Sequence, residues 1–243
     1  MPIQIVEVLD RSIQGVTRPF ICRGEDDRTY FVKGQGAGRR SLITEYVCGT
    51  LAGTFGLPVP DFEIVEVAPE LIQWGGIEDG SDLGAGLAFG SLALPHVQEF
   101  SWAMLSNVDA RLRRDILVFD WWIQNADRTL TEKGGNPNLL WDQDTVGLAV
   151  IDHNQAFDPD FDPLRFSQSH VFHQDFPSVF DDMVERMAYQ ARLAGAIAEY
   201  DRACDTVPPE WWWVDHGVPT DFDRNAARAT LERYLSNDFW RIA

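Results

Sequence analysis

The first third of the chain alternates short apolar runs with turn-forming residues. Strands are predicted at Ile3–Leu9, Pro19–Arg23 and Arg28–Lys33, the last two joined by Gly24-Glu-Asp-Asp27. Together they make an antiparallel meander. After Gly34, Gly36 and Gly38, apolar residues recur at helical spacing at Leu42, Tyr46, Val47, Leu51 and Phe55. This predicts a helix with Ser41 at its N-cap, stopped by Gly56-Leu-Pro-Val-Pro60. Further strands are predicted at Asp61–Val67, Glu70–Trp74 and Gly86–Leu92, with an exposed loop at Gly75–Gly84.

Beyond Pro95 the pattern turns helical. Val108, Leu112, Ile116, Phe119 and Ile123 share one face of a helix that Asn107 could cap and that ends at Asn125-Ala-Asp-Arg128. Two apolar runs, Asn138–Trp141 and Val146–Ile151, read as a hairpin. Helices follow near Ser178–Tyr189, Arg192–Cys204 and Asp221–Ser236. The fold class expected is α+β in two lobes: a small antiparallel-sheet N-lobe with one helix at 1–94, and a mainly helical C-lobe at 95–243.

Composition narrows the function classes. With 243 residues and 45% hydrophobic positions, the chain can bury one sizeable core or two lobes. No 18-residue apolar run and no basic, apolar leader appear, so the expectation is a cytoplasmic protein without a membrane association. The three cysteines, Cys22, Cys48 and Cys204, are far apart and lack C-x-x-C spacing, which fits a reducing compartment. A net charge of −18 repels polyanions, so direct nucleic-acid binding is disfavoured. Acidic surface would suit a cationic partner, although solubility alone explains it.

Phosphoryl transfer requires a divalent metal on hard oxygen ligands, a cation at the phosphates and a carboxylate that orients the attacking hydroxyl. Lys33 ends the third predicted strand and Glu45 lies in the helix that follows, the order in which a glutamate aims a lysine at phosphates. Asp127 lies in a loop after a helix, where a carboxylate can reach a substrate hydroxyl. Asp152 follows the apolar run Leu148–Ile151, and Asn138 opens the adjacent strand. Taken singly, each residue reads more simply as a helix cap, a loop cap or a solvated charge. Taken in this order, they form a phosphotransferase set.

Tyr30-Phe-Val-Lys33-Gly, Ser41-Leu-Ile-Thr-Glu45-Tyr, Gly56-Leu-Pro-Val-Pro60, Asn125-Ala-Asp127-Arg128, Asn136-Pro-Asn138-Leu-Leu and Ile151-Asp152-His153 together resemble the HipA-like kinase family, within the protein-kinase-like and phosphatidylinositol-kinase-like group. The resemblance covers about residues 3 to 160. It implies ATP and Mg2+ as cofactors, Lys33 on the nucleotide phosphates with Glu45 as its partner, Asp127 as catalytic aspartate, and Asn138 and Asp152 as magnesium ligands. The phosphate-covering loop of such kinases corresponds to Asp10–Arg18, whose donors are Ser12, Gly15 and Thr17. Protein serine or threonine is the implied acceptor, and a toxin or defence kinase with an antitoxin or regulatory protein as partner is the implied setting.

Kinases commonly place the metal asparagine five residues after the catalytic aspartate, whereas Asn138 follows Asp127 by eleven, with Thr129–Gly135 inserted. Asn136 is therefore a rival ligand. Asp152 is followed by His153-Asn154 rather than Phe-Gly. Two other readings stay open: a nucleotide-binding pseudokinase acting as an interaction module, and a kinase of a small-molecule alcohol of the aminoglycoside or choline type. Gly34-Gln-Gly-Ala-Gly38 matches no nucleotide-loop pattern, Asp158-Pro-Asp-Phe-Asp162 lacks the glycine and glutamate of a calcium loop, and His170 with His173 lacks a partner for a metal site. Trp121-Trp122 is expected to back the catalytic loop, and Trp211–Trp213 to anchor the C-terminal segment.

Overall fold

The computed structural model describes residues 1–12, 18–143 and 147–241. Two compact units divide the chain. The first comprises Met1–Tyr46, Pro60–Pro95 and Val207–Phe222, and the second Val47–Val59, His96–Thr206 and Asp223–Ala243.

The first unit is built on a five-stranded closed barrel, with β1 at Ile3–Arg11, β2 at Phe20–Gly24, β3 at Thr29–Lys33, β4 at Phe62–Val67 and β5 at Gly86–Leu92, in the order β1-β2-β3-β5-β4. The expected meander is present, and β1 closes the barrel by pairing parallel to β4, Ile3 opposite Val65. Closure removes free sheet edges. Inward residues Ile5, Phe20, Cys22, Tyr30, Val32, Val65, Val67 and Ala88 form its core. Burial lifts the Cys22 thiol to about 12, which makes it an inert core residue.

Helix α1 (Arg39–Phe55) begins two residues before Ser41, with the Leu42 amide on the Gly38 carbonyl. Its residues up to Tyr46 belong to the first unit and those from Val47 to the second. The predicted strand at Glu70–Trp74 is instead α2 (Pro69–Trp74). Pro69 at the first helical turn pre-sets φ and lacks the N–H that a strand would need. The loop that follows contains one short turn, α3 (Gly80–Leu83). Near the end of the chain, a hairpin of Trp213–Asp215 and Val218–Pro219 joins this unit. Beside it, buried Trp211 donates its Nε1–H to the Leu87 carbonyl at 3.1 Å, anchoring the segment as its apolar run suggests.

The second unit is mainly helical. Helix α4 (Ala110–Ile123) starts later than expected, because Asp109 rather than Asn107 caps it by accepting from the Arg111 and Leu112 amides at 2.8 and 3.2 Å. A three-stranded sheet runs β10-β9-β6, with β6 at Val97–Glu99, β9 at Leu139–Asp142 and β10 at Gly147–Val150; the first of these is too short and polar to be read in sequence. Between α4 and β9 lies a two-stranded hairpin, β7 (Thr129–Thr131) and β8 (Gly134–Asn136). Helices α5 (Pro163–Ser169), α6 (Phe176–Phe180), α7 (Met183–Ile197), α8 (Tyr200–Thr206) and α9 (Arg224–Glu232) complete the unit. The two helices expected at 178–204 are thus divided differently. Asp182 sets the start of α7 by capping Val184 and Glu185, and the break falls at 198–199 rather than 190–191.

Trp121 and Trp122 give α4 much of its hold. Their Nε1–H groups donate to the Phe239 and Leu231 carbonyls at 3.0 and 2.8 Å, and Trp121 packs against Phe161, Phe166, Phe176 and Phe180. Full burial of one such side chain contributes roughly 1.5–3 kcal/mol, so α4 is a stiff platform for the loop at its C-terminus.

Candidate active site

In β3, Tyr30 and Val32 face the barrel core, so the period of two turns Lys33 to the other face with Phe31. There its Nζ pairs with Glu45 of α1. The side chains are only 10% and 4% exposed. A lysine ending a strand is ordinarily solvated, and this one is held under cover by a carboxylate. Ser12 closes the β1–β2 connection through its amide on the Pro19 carbonyl at 2.9 Å. Gly15, the other phosphate-loop residue expected to hold the nucleotide, and Thr17 lie outside the described residues.

The glycines at Gly34 and Gly36 have a packing explanation. A Cβ on Gly34 would lie 1.9 Å from the Leu83 carbonyl oxygen, and one on Gly36 would lie 2.8 Å from Asp82 Cβ. The segment is glycine-rich because α3 crosses it at backbone contact.

The second unit gathers Asp127, Asn136 and Asn138. Helix α4 ends through Gln124 in the left-handed conformation (φ 54°). Asn125, fully buried, then donates to Asp120 Oδ1 at 3.2 Å and accepts from the Asp127 amide at 3.5 Å, which fixes the loop. Asp127 is half-buried, and its Oδ2 accepts from Asn136 Nδ2 at 2.7 Å and Asn138 Nδ2 at 3.0 Å. Only the NH2 end of an amide can face a carboxylate oxygen, so the carbonyl end of each asparagine points away from Asp127 Oδ2. The residues between Asp127 and Asn138 fold into the β7–β8 hairpin, with Thr129 opposite Asn136. The eleven-residue spacing is thereby looped out, and Asn138 still reaches Asp127.

Just beyond the β9–β10 ladder the Ile151 amide donates to the Asn138 carbonyl at 3.1 Å, and Asp152 is the next residue in the chain. Both residues take left-handed backbone conformations, φ 48° and 60°. Asparagine and aspartate tolerate that region better than other side chains. A carboxylate and an amide carbonyl are hard oxygen donors of the kind a divalent cation takes. Among the described residues no group of three or more His, Cys, Asp and Glu side chains gathers as a metal site.

Behind the loop lies a network that sequence reasoning missed. Arg128 and Asp120 are both fully buried and meet at 2.6 Å (Nε to Oδ2) and 3.4 Å (Nη2 to Oδ1). Arg128 Nη1 also donates to the carbonyls of Pro137 at 3.2 Å, Asn138 at 2.5 Å and Ile151 at 3.3 Å. His170 Nδ1 accepts from the Phe172 amide at 3.1 Å, so the proton of the neutral ring sits on Nε2 and is donated to Asp120 at 3.0 Å. Burial alone would raise the Asp120 carboxyl, but the Arg128 charge and the His170 hydrogen bond outweigh it and hold it at about 2. Burial lowers the His170 pKa, against the pull of Asp120. With both ring nitrogens engaged, His170 is no metal ligand. The available signal was the row Leu112, Ile116, Asp120 at i, i+4 spacing, which puts an acid on the apolar face of α4.

The acidic run after Asp152 is likewise structural: Asp158 accepts from the Asp160 amide at 2.9 Å, and Asp162 caps α5.

A lysine paired to a helix glutamate in the first unit, and in the second an aspartate met by two asparagines, are residue types that kinase-type phosphotransferases use. The chain belongs to the HipA-like kinase family, whose model matches residues 5–243. Its fold is similar to that in the crystal structure of the Helicobacter pylori proinflammatory kinase CtkA, with a TM-score of 0.55 at 11% identity, covering 98% of this chain and 96% of that one. At that identity the likeness shows the two-lobed kinase-like α+β fold alone. No curated protein matches the sequence. Family membership brings ATP and a divalent metal in general terms. No helix among the described residues is long and apolar enough to cross a membrane.

Proposed function

We propose that this kinase transfers the γ-phosphoryl group of ATP, in a magnesium-dependent reaction, to the hydroxyl of a protein serine or threonine. The observation that carries the reading is the Asp127 carboxylate, whose Oδ2 is held by two asparagine amides while Oδ1 is left to accept from an incoming hydroxyl. Fixing one oxygen sets the direction of the other, which is how a weak base contributes through orientation.

Asn138 and Asp152 would hold the metal, which supplies charge neutralisation on the transferring phosphoryl group. Asn138 is favoured over Asn136 because its backbone is bonded to the residue before Asp152, whereas Asn136 lies on an exposed strand of the hairpin. Asn136 then serves to hold Asp127. Lys33, kept in place by Glu45, would contact the nucleotide phosphates, with Ser12 and Gly15 of the Asp10–Arg18 segment as further donors. The hairpin favours an enzyme over a pseudokinase, because the inserted residues leave the asparagine on the catalytic carboxylate instead of displacing it. A regulatory or antitoxin protein is the partner this family setting suggests.

Calorimetry of ATP binding with and without magnesium, followed by transfer assays on a protein panel and on choline and aminoglycoside acceptors, tests the reading. Magnesium-dependent binding with transfer to protein hydroxyls supports it. Transfer confined to the small alcohols would overturn the acceptor, and absence of nucleotide binding would overturn the whole.

A further inference from the structure

We propose that Arg128 is the positioning residue that sets the spacing between the catalytic carboxylate and the metal ligands. The proposal rests on reading Asn138 and Asp152 as those ligands. Arg128 directly follows Asp127 in the chain. Its Nη1 bonds the carbonyl of Pro137, which precedes Asn138, the carbonyl of Asn138 itself, and that of Ile151, which precedes Asp152. One guanidinium therefore fastens the three backbone segments that carry the three residues. Two of these, Asn138 and Asp152, stand in left-handed conformations that require outside support.

The guanidinium is itself immobile. Asp120 holds it from the opposite edge through Nε and Nη2, and His170 holds Asp120. All three side chains are fully shielded from solvent. A charge buried this deeply could be replaced by an apolar side chain if packing were its only task. Its rigid plane instead lets Nη1 meet the carbonyls of the 137–138 segment and of Ile151 while Nε and Nη2 meet Asp120, which a lysine ammonium cannot do at once. The Arg128 side chain is fully buried and all its hydrogen bonds go to Asp120 and backbone carbonyls, so its effect is on geometry.

The test compares wild type with Arg128→Lys, using Mn2+ as probe and a non-hydrolysable ATP analogue. Bound manganese is read by electron paramagnetic resonance, and analogue affinity is measured separately without metal. Arg128→Lys should weaken manganese binding at least tenfold while metal-free analogue affinity changes less than twofold. A folded variant with manganese affinity within twofold of wild type overturns the proposal, because a merely structural arginine would lower the melting temperature and leave metal affinity alone. A wild-type protein that binds no manganese refutes the ligand reading, and the proposal with it.

If Arg128→Lys does not fold, Asp120→Asn loosens the same guanidinium at constant size and should weaken manganese threefold or more; unchanged affinity overturns the proposal. Hydrogen exchange in the wild type gives a third readout needing no variant. The Ile151 amide and the Arg128 Nε–H should exchange through one common opening, and separate openings with different denaturant dependence would overturn the clamp.

Discussion

Replacing Asp120 by alanine should cost about 4 kcal/mol of stability. The carboxylate is completely buried and is the counter-charge of a completely buried guanidinium. Removing one partner of such a pair costs roughly 3–5 kcal/mol, because the remaining charge is left without compensation. Arg128 keeps three carbonyl acceptors in the variant, which reduces the loss, but the His170 Nε2–H and the Asn125 amide lose theirs, each worth about 1–3 kcal/mol when left unsatisfied. Against a typical total stability of roughly 5–15 kcal/mol, this is severe.

Urea unfolding followed by tryptophan fluorescence measures it directly, since Trp121 and Trp122 adjoin Asp120 in the chain. Acid offers a milder version of the same perturbation. The Asp120 carboxyl is depressed from 3.8 to about 2, so its contribution is present above about pH 4 and is lost as pH falls through about 2. That drop corresponds to roughly 2–3 kcal/mol, less than truncation, because a protonated carboxyl still occupies the site and still forms hydrogen bonds. A loss under about 1 kcal/mol for Asp120→Ala would refute the argument that Asp120 compensates a buried charge.

Three further outcomes follow from the structure. Glu45→Gln should weaken nucleotide binding about tenfold in calorimetry, since a neutral amide holds the Lys33 ammonium less firmly than a carboxylate. Gly34→Ala should lower stability by about 1–3 kcal/mol in thermal melts, as its Cβ would meet the Leu83 carbonyl. His170 has a folded pKa below its ordinary 6.5, so the unfolded chain binds the extra proton and stability should decline as pH falls below about 6.5; in His170→Asn, urea midpoints between pH 5 and 6.5 should lose part of that slope.

The barrel strands and α1 were legible because alternation and helical spacing are local signals. Asp127, Asn138 and Asp152 could be singled out in sequence because each sits where an apolar run meets a loop. What was not legible came from partners distant in sequence. Lys33 is largely covered rather than solvated, and its Glu45 partner comes from α1, twelve residues on. Glu70–Trp74 is the exception: its run is too short for periodicity to separate strand from helix, and the signal that decides it, Pro69, is local. The role of Arg128 depends on carbonyls at 137, 138 and 151 and on an acid eight residues earlier. The Thr129–Gly135 insertion gave no sign in sequence that its ends would pair and return Asn136 to Asp127.

Phosphate transfer from labelled ATP, with magnesium, by the wild type and by Asp127→Ala tests the central claim most directly. The account predicts transfer by the wild type to itself or to a protein acceptor. It predicts a loss of roughly 10²–10⁴-fold in the variant, with nucleotide affinity retained. Transfer at the wild-type rate by Asp127→Ala, or nucleotide binding by the wild type without transfer to any acceptor, would contradict it.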